Sequence, residues 1–349
     1  SRLKKMVFRK IVLWILAVVA LSACTKHSVE PGVSISFASV AQDASVSTRS
    51  GAGENVVLST TESMRSKPFG IYGLYSDNPG DENGTNVFLS TNAQAVSYNA
   101  SSAKWEYDPL AYWSINKFYR FRAYHPYNGT AFNVLNSSSV DLISIDYKIA
   151  SGSDDLMFAF WTGQANESVI TNNVPMQFFH ALSGITFSVG MKNSEDVPDG
   201  YQDAVTSFWV SGIIPNGTVL YTHPDGRFNE AQMIWIAENY DSSTKYYQWT
   251  GSKTFGKINN PNPAVSIFDG SSVVFAIPQS SSGAKGPTKA YFTTQNGGNA
   301  VNEITLPAVK WEPGVIYSYC FVISQSKIEV EITIKDWEPV EINQDIHII

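Results

Sequence analysis

The chain has 349 residues and a formal net charge of −7, with few charged side chains but nine tryptophans, seventeen tyrosines and nineteen phenylalanines. That length exceeds one typical domain and is ample for a buried core. The acidic balance, with no cluster of Lys and Arg beyond the first ten residues, excludes a nucleic-acid or anionic-membrane binder.

The first element is Lys4, Lys5, Arg9 and Lys10 followed by the apolar run Ile11 to Ala20 and then Leu21-Ser22-Ala23-Cys24. A basic start, an apolar core and small residues at the cut make residues 1–23 a secretory signal. At about 1.5 Å per residue the apolar run covers roughly half of a ~30 Å hydrocarbon core, so it is too short to span. Ending in cysteine, the cut site resembles the lipobox of bacterial lipoproteins. That resemblance implies a lipoprotein signal peptidase that cleaves before Cys24 and acyl chains added to its sulfur and new amine. Each buried methylene then contributes about 0.8 kcal/mol of membrane anchoring. Cys320 is left in the apolar run Tyr317 to Ile323 and reads as a small buried hydrophobe.

Val33-Ser34-Ile35-Ser36-Phe37 alternates with period two and predicts a half-buried strand. The Ser/Thr/Gly/Ala stretch from Ala38 to Ser63 has too little apolar surface to offset its ordering entropy and reads as an exposed, protease-accessible loop. Its single basic residue is Arg49, followed by Ser50, with Arg65 close behind. Phe69 to Tyr75 is a strand whose glycines admit bulky rings. Asp77 to Gly84 is a turn cluster. A strand through Phe118 to Tyr124 ends at Pro126, and Ile143 to Tyr147 and Leu156 to Phe160 are two more. The polar connector Thr162 to Asn173 suggests a boundary between domains 50–173 and 174–349. Beyond it, Gln177 to Val189 reads as one strand. Others follow over 204–214, 218–221, 272–277, 289–294, 303–306, 315–323 and 328–335, and 228–240 reads as a helical turn. In 340–349 the residues Val340, Ile342, Ile346 and Ile348 share one face, an apolar edge that needs a cover from its own domain or from elsewhere. Short strands between turn residues predict an all-β protein of two antiparallel sandwiches.

Chemistry is harder to find. The five histidines, at 27, 125, 180, 223 and 347, have no metal-ligand spacing. His180, inside an apolar strand, reads as a hydrogen-bonded core residue. Asp154 and Asp155 are adjacent and face opposite ways in extended chain. No G-x-S-x-G, phosphate loop or dinucleotide fingerprint is present. The sequence therefore nominates no catalytic residue, metal site or cofactor. Trp105, Trp113 and Trp161 fit either a sugar-stacking platform, on a glycan-binding outer-membrane surface lipoprotein, or core packing, which aromatic residues in strands favour.

Several motifs in order carry a resemblance: the lipobox, an early short strand, a loop with one arginine, Ala123-Tyr124-His125-Pro126 and Phe179-His180-Ala181-Leu182-Ser183-Gly184. Ile277-Pro278-Gln279, Trp311-Glu312-Pro313-Gly314-Val315 and Ile334-Lys335-Asp336-Trp337 continue the series. From Cys24 to Trp337 the chain resembles the fimbrillin family of type V pilins. The resemblance implies two tandem transthyretin-like β-sandwich domains and a lipid-anchored outer-membrane precursor that becomes part of a surface fimbria. It further implies an arginine-specific protease cutting after Arg49, or at Arg65, to release a propeptide of residues 24–49. The removed strand would hold Val33, Ile35 and Phe37. The C-terminal strand of another pilin subunit, with Val340, Ile342, Ile346 and Ile348, would then fill the vacated groove by donor-strand exchange.

Overall fold

The computed structural model describes residues 32–38, 64–79, 81, 84–89, 92–127, 132–139, 142–149, 154–222, 232–237, 241–259, 263–268, 273–280, 286–298, 300–325, 327–336 and 340–342. The chain divides into two units, Ser1–Val33 and Ser34–Ile349. In the first, only residues 32 and 33 are described, and both are exposed.

The second unit is built of strands, numbered here along the chain. The largest sheet has 9 strands. Its order is β1 (Phe37–Ala38), β10 (Val174–His180), β9 (Met157–Gln164), β6 (Phe118–His125), β2 (Phe69–Ser76), β4 (Gln94–Asn99) and β5 (Lys104–Glu106). Two more strands join it, β24 (Val340–Ile342) on β10 and β3 (Thr85–Asn86) on β2. A 5-stranded sheet runs β16 (Val265–Ser266), β11 (Ser183–Met191), β22 (Val315–Ile323) and β23 (Ile328–Asp336), with β17 (Val274–Ala276) also on β11. One 4-stranded sheet runs β15 (Tyr246–Phe255), β12 (Asp203–Ser211), β19 (Lys289–Thr294) and β20 (Asn302–Thr305). Another runs β14 (Gln232–Ala237), β13 (Asn216–Thr222), β8 (Leu142–Lys148) and β7 (Phe132–Ser139), and β18 (Gln279–Ser280) pairs with β21 (Lys310–Trp311). The ladders are antiparallel except β1 on β10 and β11 on β22. The α-helix α1 (Glu167–Ile170) is capped by the Asn166 side chain, which accepts the Val169 N–H at 3.1 Å.

The largest sheet is covered on both faces, which explains its near-continuous apolar strands. Phe69 and Ile71 of β2, Tyr119, Phe121 and Ala123 of β6, and Val174, Met176 and Phe178 of β10 enter one core. The alternate residues Tyr72, Leu74, Tyr124 and Phe158 enter a second core shared with the other sheets. There Phe158 stacks on Tyr221 of β13 at 4.5 Å. The 5-stranded sheet meets the β12–β19 layer through Phe187 against Phe208 at 4.8 Å and Phe321 against Phe292 at 5.4 Å. Glycine is required where rings cross β2: a Cβ on Gly70 would lie 2.7 Å from the Tyr127 ring, and one on Gly73 2.7 Å from the Phe121 ring.

Two sequence expectations are corrected. Residues 177–189 are not one strand: the chain turns at Ala181-Leu182 and places β10 and β11 in different sheets. The turn is held by Ala181 N–H on the Leu156 carbonyl and Gly314 N–H on the Leu182 carbonyl. In place of a helical turn within 228–240, β14 pairs along its length with β13. Strands from either side of residue 173 share sheets: β10 completes the first large sheet, and β8 pairs with β13.

Candidate functional site

The first and last strands of the described chain lie on one edge, that of β10. Phe37 and Ala38 pair in parallel with Val174 and Pro175. Ile342, Glu341 and Val340 pair antiparallel with Met176, Gln177 and Phe178. The two strands therefore point toward each other and abut between Pro175 and Met176. Extended by two residues, the register of β24 reaches the position opposite Val174 that Phe37 holds. An edge offers one row of N–H and C=O groups, so extension of either strand displaces the other.

β10 is fixed independently of both. Its C-terminal part pairs with β9 through Phe178, Phe179 and His180. Nδ1 of His180 lies 2.9 Å from Oδ2 of Asp155, with both side chains buried. Asp154 forms an ion pair with Lys67. The two adjacent carboxylates thus serve separate partners, and His180 is a bonded core residue.

The first strand is bound by side chains as well as by a ladder. Ile35 and Phe37 are each 1% exposed, whereas Val33 is 48% exposed. Of the three apolar positions expected to anchor the strand, two are buried. Phe37 sits among Phe121 at 5.5 Å, Tyr107 at 5.7 Å and Phe69 at 6.2 Å, the Phe69 and Phe121 rings edge-on. The Val174 N–H donates to the Ser36 carbonyl at 2.8 Å, and the Ser36 hydroxyl donates to the Asn173 side chain. Tyr112 forms an antiparallel bridge with Ser34 on the opposite side.

Other expected residues divide by position. Cys24, Arg49, Ser50, Ile346 and Ile348 lie outside the described residues. Arg65 is half-buried next to fully buried Met64, its guanidinium 4.6 Å above the Tyr98 ring. Val340 and Ile342 are placed by their backbone on β10 of their own chain. Trp105 and Trp113 are buried and Trp161 half-buried, with Trp113 and Trp161 6.2 Å apart, so these rings serve the core. Cys320 is half-buried on β22. Sequence reading missed Tyr107, Ala111 and Asn173, which hold the first strand, and the Val174-Pro175 portion of β10 that receives it. The strand read there begins only at Gln177, and Pro175, which cannot donate to a ladder, weakens the strand signal just before it. Among the described residues, no three His, Cys, Asp or Glu side chains gather as a metal site.

The family model described as Fimbrillin-like matches residues 57–337. A fimbrial protein from Bacteroides vulgatus of known structure is similar with a TM-score of 0.53 and 18% identity, over 80% of this chain and 96% of that one. A candidate cell adhesion protein from Bacteroides uniformis aligns with a TM-score of 0.48 and 16% identity, over 88% of this chain and 99% of that one. The fold likeness rests on the first. Among curated proteins none matches.

Proposed function

We propose that this chain, which belongs to the fimbrillin-like family, is a fimbrial subunit activated by exchange of the strand on the β10 edge. The family consists of structural cell-surface subunits, not enzymes. The finer reading is that the precursor is lipidated at Cys24, held at the outer membrane and cut by an arginine-specific protease after Arg49. The first strand leaves with its lipid, and the C-terminal strand of another subunit takes its place on β10. The observation that carries this reading is the meeting of β1 and β24 head to head on one edge. A groove lined by Phe69, Tyr107 and Phe121 suits an exchanged strand, because alternate side chains fill pockets while the ladder supplies the rest. Arg65, stacked on Tyr98 and next to buried Met64, is a poor protease substrate, which favours Arg49. The burial of Trp105 and Trp113 weighs against a glycan platform on those rings.

N-terminal sequencing of material sheared from the cell surface tests the reading. Assembled subunits are expected to begin at Ser50, and Arg49→Ala is expected to leave an unassembled precursor. Fibres whose subunits all begin at Cys24 would overturn it.

A further inference from the structure

Ile35 and Ala111 face each other as an antiparallel pair that exchanges one of its two direct hydrogen bonds. The Ile35 N–H donates to the Ala111 carbonyl at 2.8 Å. The return bond is replaced by a relay. The Tyr107 hydroxyl donates to the Ile35 carbonyl at 2.8 Å, and its oxygen accepts the Ala111 N–H at 3.3 Å. The phenol thus occupies the place in the ladder where a second direct bond would lie. All three residues are buried, and the Tyr107 ring also packs against Phe37 at 5.7 Å and Phe88 at 5.6 Å. A relay of this kind gains strength from polarisation and from its dry surroundings. Burial pushes the phenol up to about 12, so it keeps its proton at every physiological pH.

We infer that the Tyr107 hydroxyl is the latch on the first strand, setting how readily Ile35 and Phe37 leave the groove. Its importance for assembly rests on the proposed removal of that strand. The latch itself does not, because it acts in the uncut chain. The ring remains part of the core after the strand has left, while the bond to Ile35 exists only with the strand in place. Tyr107 is therefore a positioning residue whose hydroxyl reports on one event.

The test uses the full chain carrying Cys24→Ser, with amide hydrogen exchange read at Ile35 and at Val174, whose N–H donates to Ser36. Tyr107→Phe keeps the ring and removes the relay. Tyr119→Phe is the control: its hydroxyl accepts the Ser114 N–H at 2.6 Å in the same core and bonds nothing on the first strand. Tyr107→Phe is expected to speed exchange at both amides by about three- to tenfold, the range for one buried hydrogen bond, and Tyr119→Phe to leave them unchanged. Unchanged exchange in Tyr107→Phe, or equal acceleration in both variants, overturns the latch. After cleavage, Tyr107→Phe is expected to polymerise with a shorter lag. Faster exchange with a wild-type lag supports the latch and overturns strand release as the step that controls assembly.

Discussion

His125 ends β6 beside Phe178, almost wholly buried, and burial pushes its imidazole down to about 4 against the pull of the Asp155 carboxylate. A histidine lowered in the fold is held neutral there. Its contribution is complete above its ordinary value of 6.5 and is lost as pH falls from 6.5 toward 4. At about 1.4 kcal/mol per unit the loss amounts to roughly 3 kcal/mol. Urea unfolding at pH 7 and at pH 4 is expected to give a stability difference about that much smaller in His125→Gln than in the wild-type chain. An equal difference would remove His125 from the acid response. The sequence revealed part of this environment. His180 was legible as a core residue because it sits in an apolar strand, but its partner Asp155 lies 25 residues away and only the fold supplies the contact.

At the scale of elements, the first strand shows how far alternation can be read. The period-two pattern put Ile35 and Phe37 on a buried face, and both are buried, but it could not tell that the face ends before Val33. Phe37→Ala is expected to cost about 3–5 kcal/mol of stability in the uncut chain, and Val33→Ala under about 0.5 kcal/mol, both measured by urea unfolding. Comparable losses at the two positions would contradict the placement of the strand. Less legible was the receiving strand. Gln177 to Val189 is rich in apolar residues, and its one local turn signal, Ser183-Gly184, falls inside β11 rather than at Ala181-Leu182, where the turn is held by carbonyl and amide partners from Leu156 and Gly314. β15 went unread because Gln248, Thr250, Gly251, Ser252 and Lys253 alternate only weakly on a partly exposed edge of its sheet. β14 looked helical because Met233, Ile234 and Ile236 fit either period over so short a run.

For the whole molecule, the large sheet with two covered faces ties the halves of the chain together. β8 from the first half pairs with β13, and Phe158 stacks on Tyr221. β10 from the second half completes the sheet that β9 belongs to. A fragment of residues 50–173 is expected not to fold alone, giving a poorly dispersed NMR spectrum, since it would lack β10 and the cover over Tyr72, Leu74 and Phe158. A well-dispersed spectrum would show that the interleaving is dispensable. The same interleaving leaves the β10 edge as the place where the chain's first and last described strands meet, and in the proposed assembly the first is replaced by a strand from a second copy. The direct measurement is a non-reducing gel of a Cys320→Ser chain carrying Gln177→Cys and Glu341→Cys, positions opposite each other in the β10–β24 register. In the uncut precursor the bond is expected to form within one chain. In sheared fibres a ladder of covalent multimers that collapses on reduction is expected, and fibres that yield only internally bonded monomers would contradict strand exchange between copies.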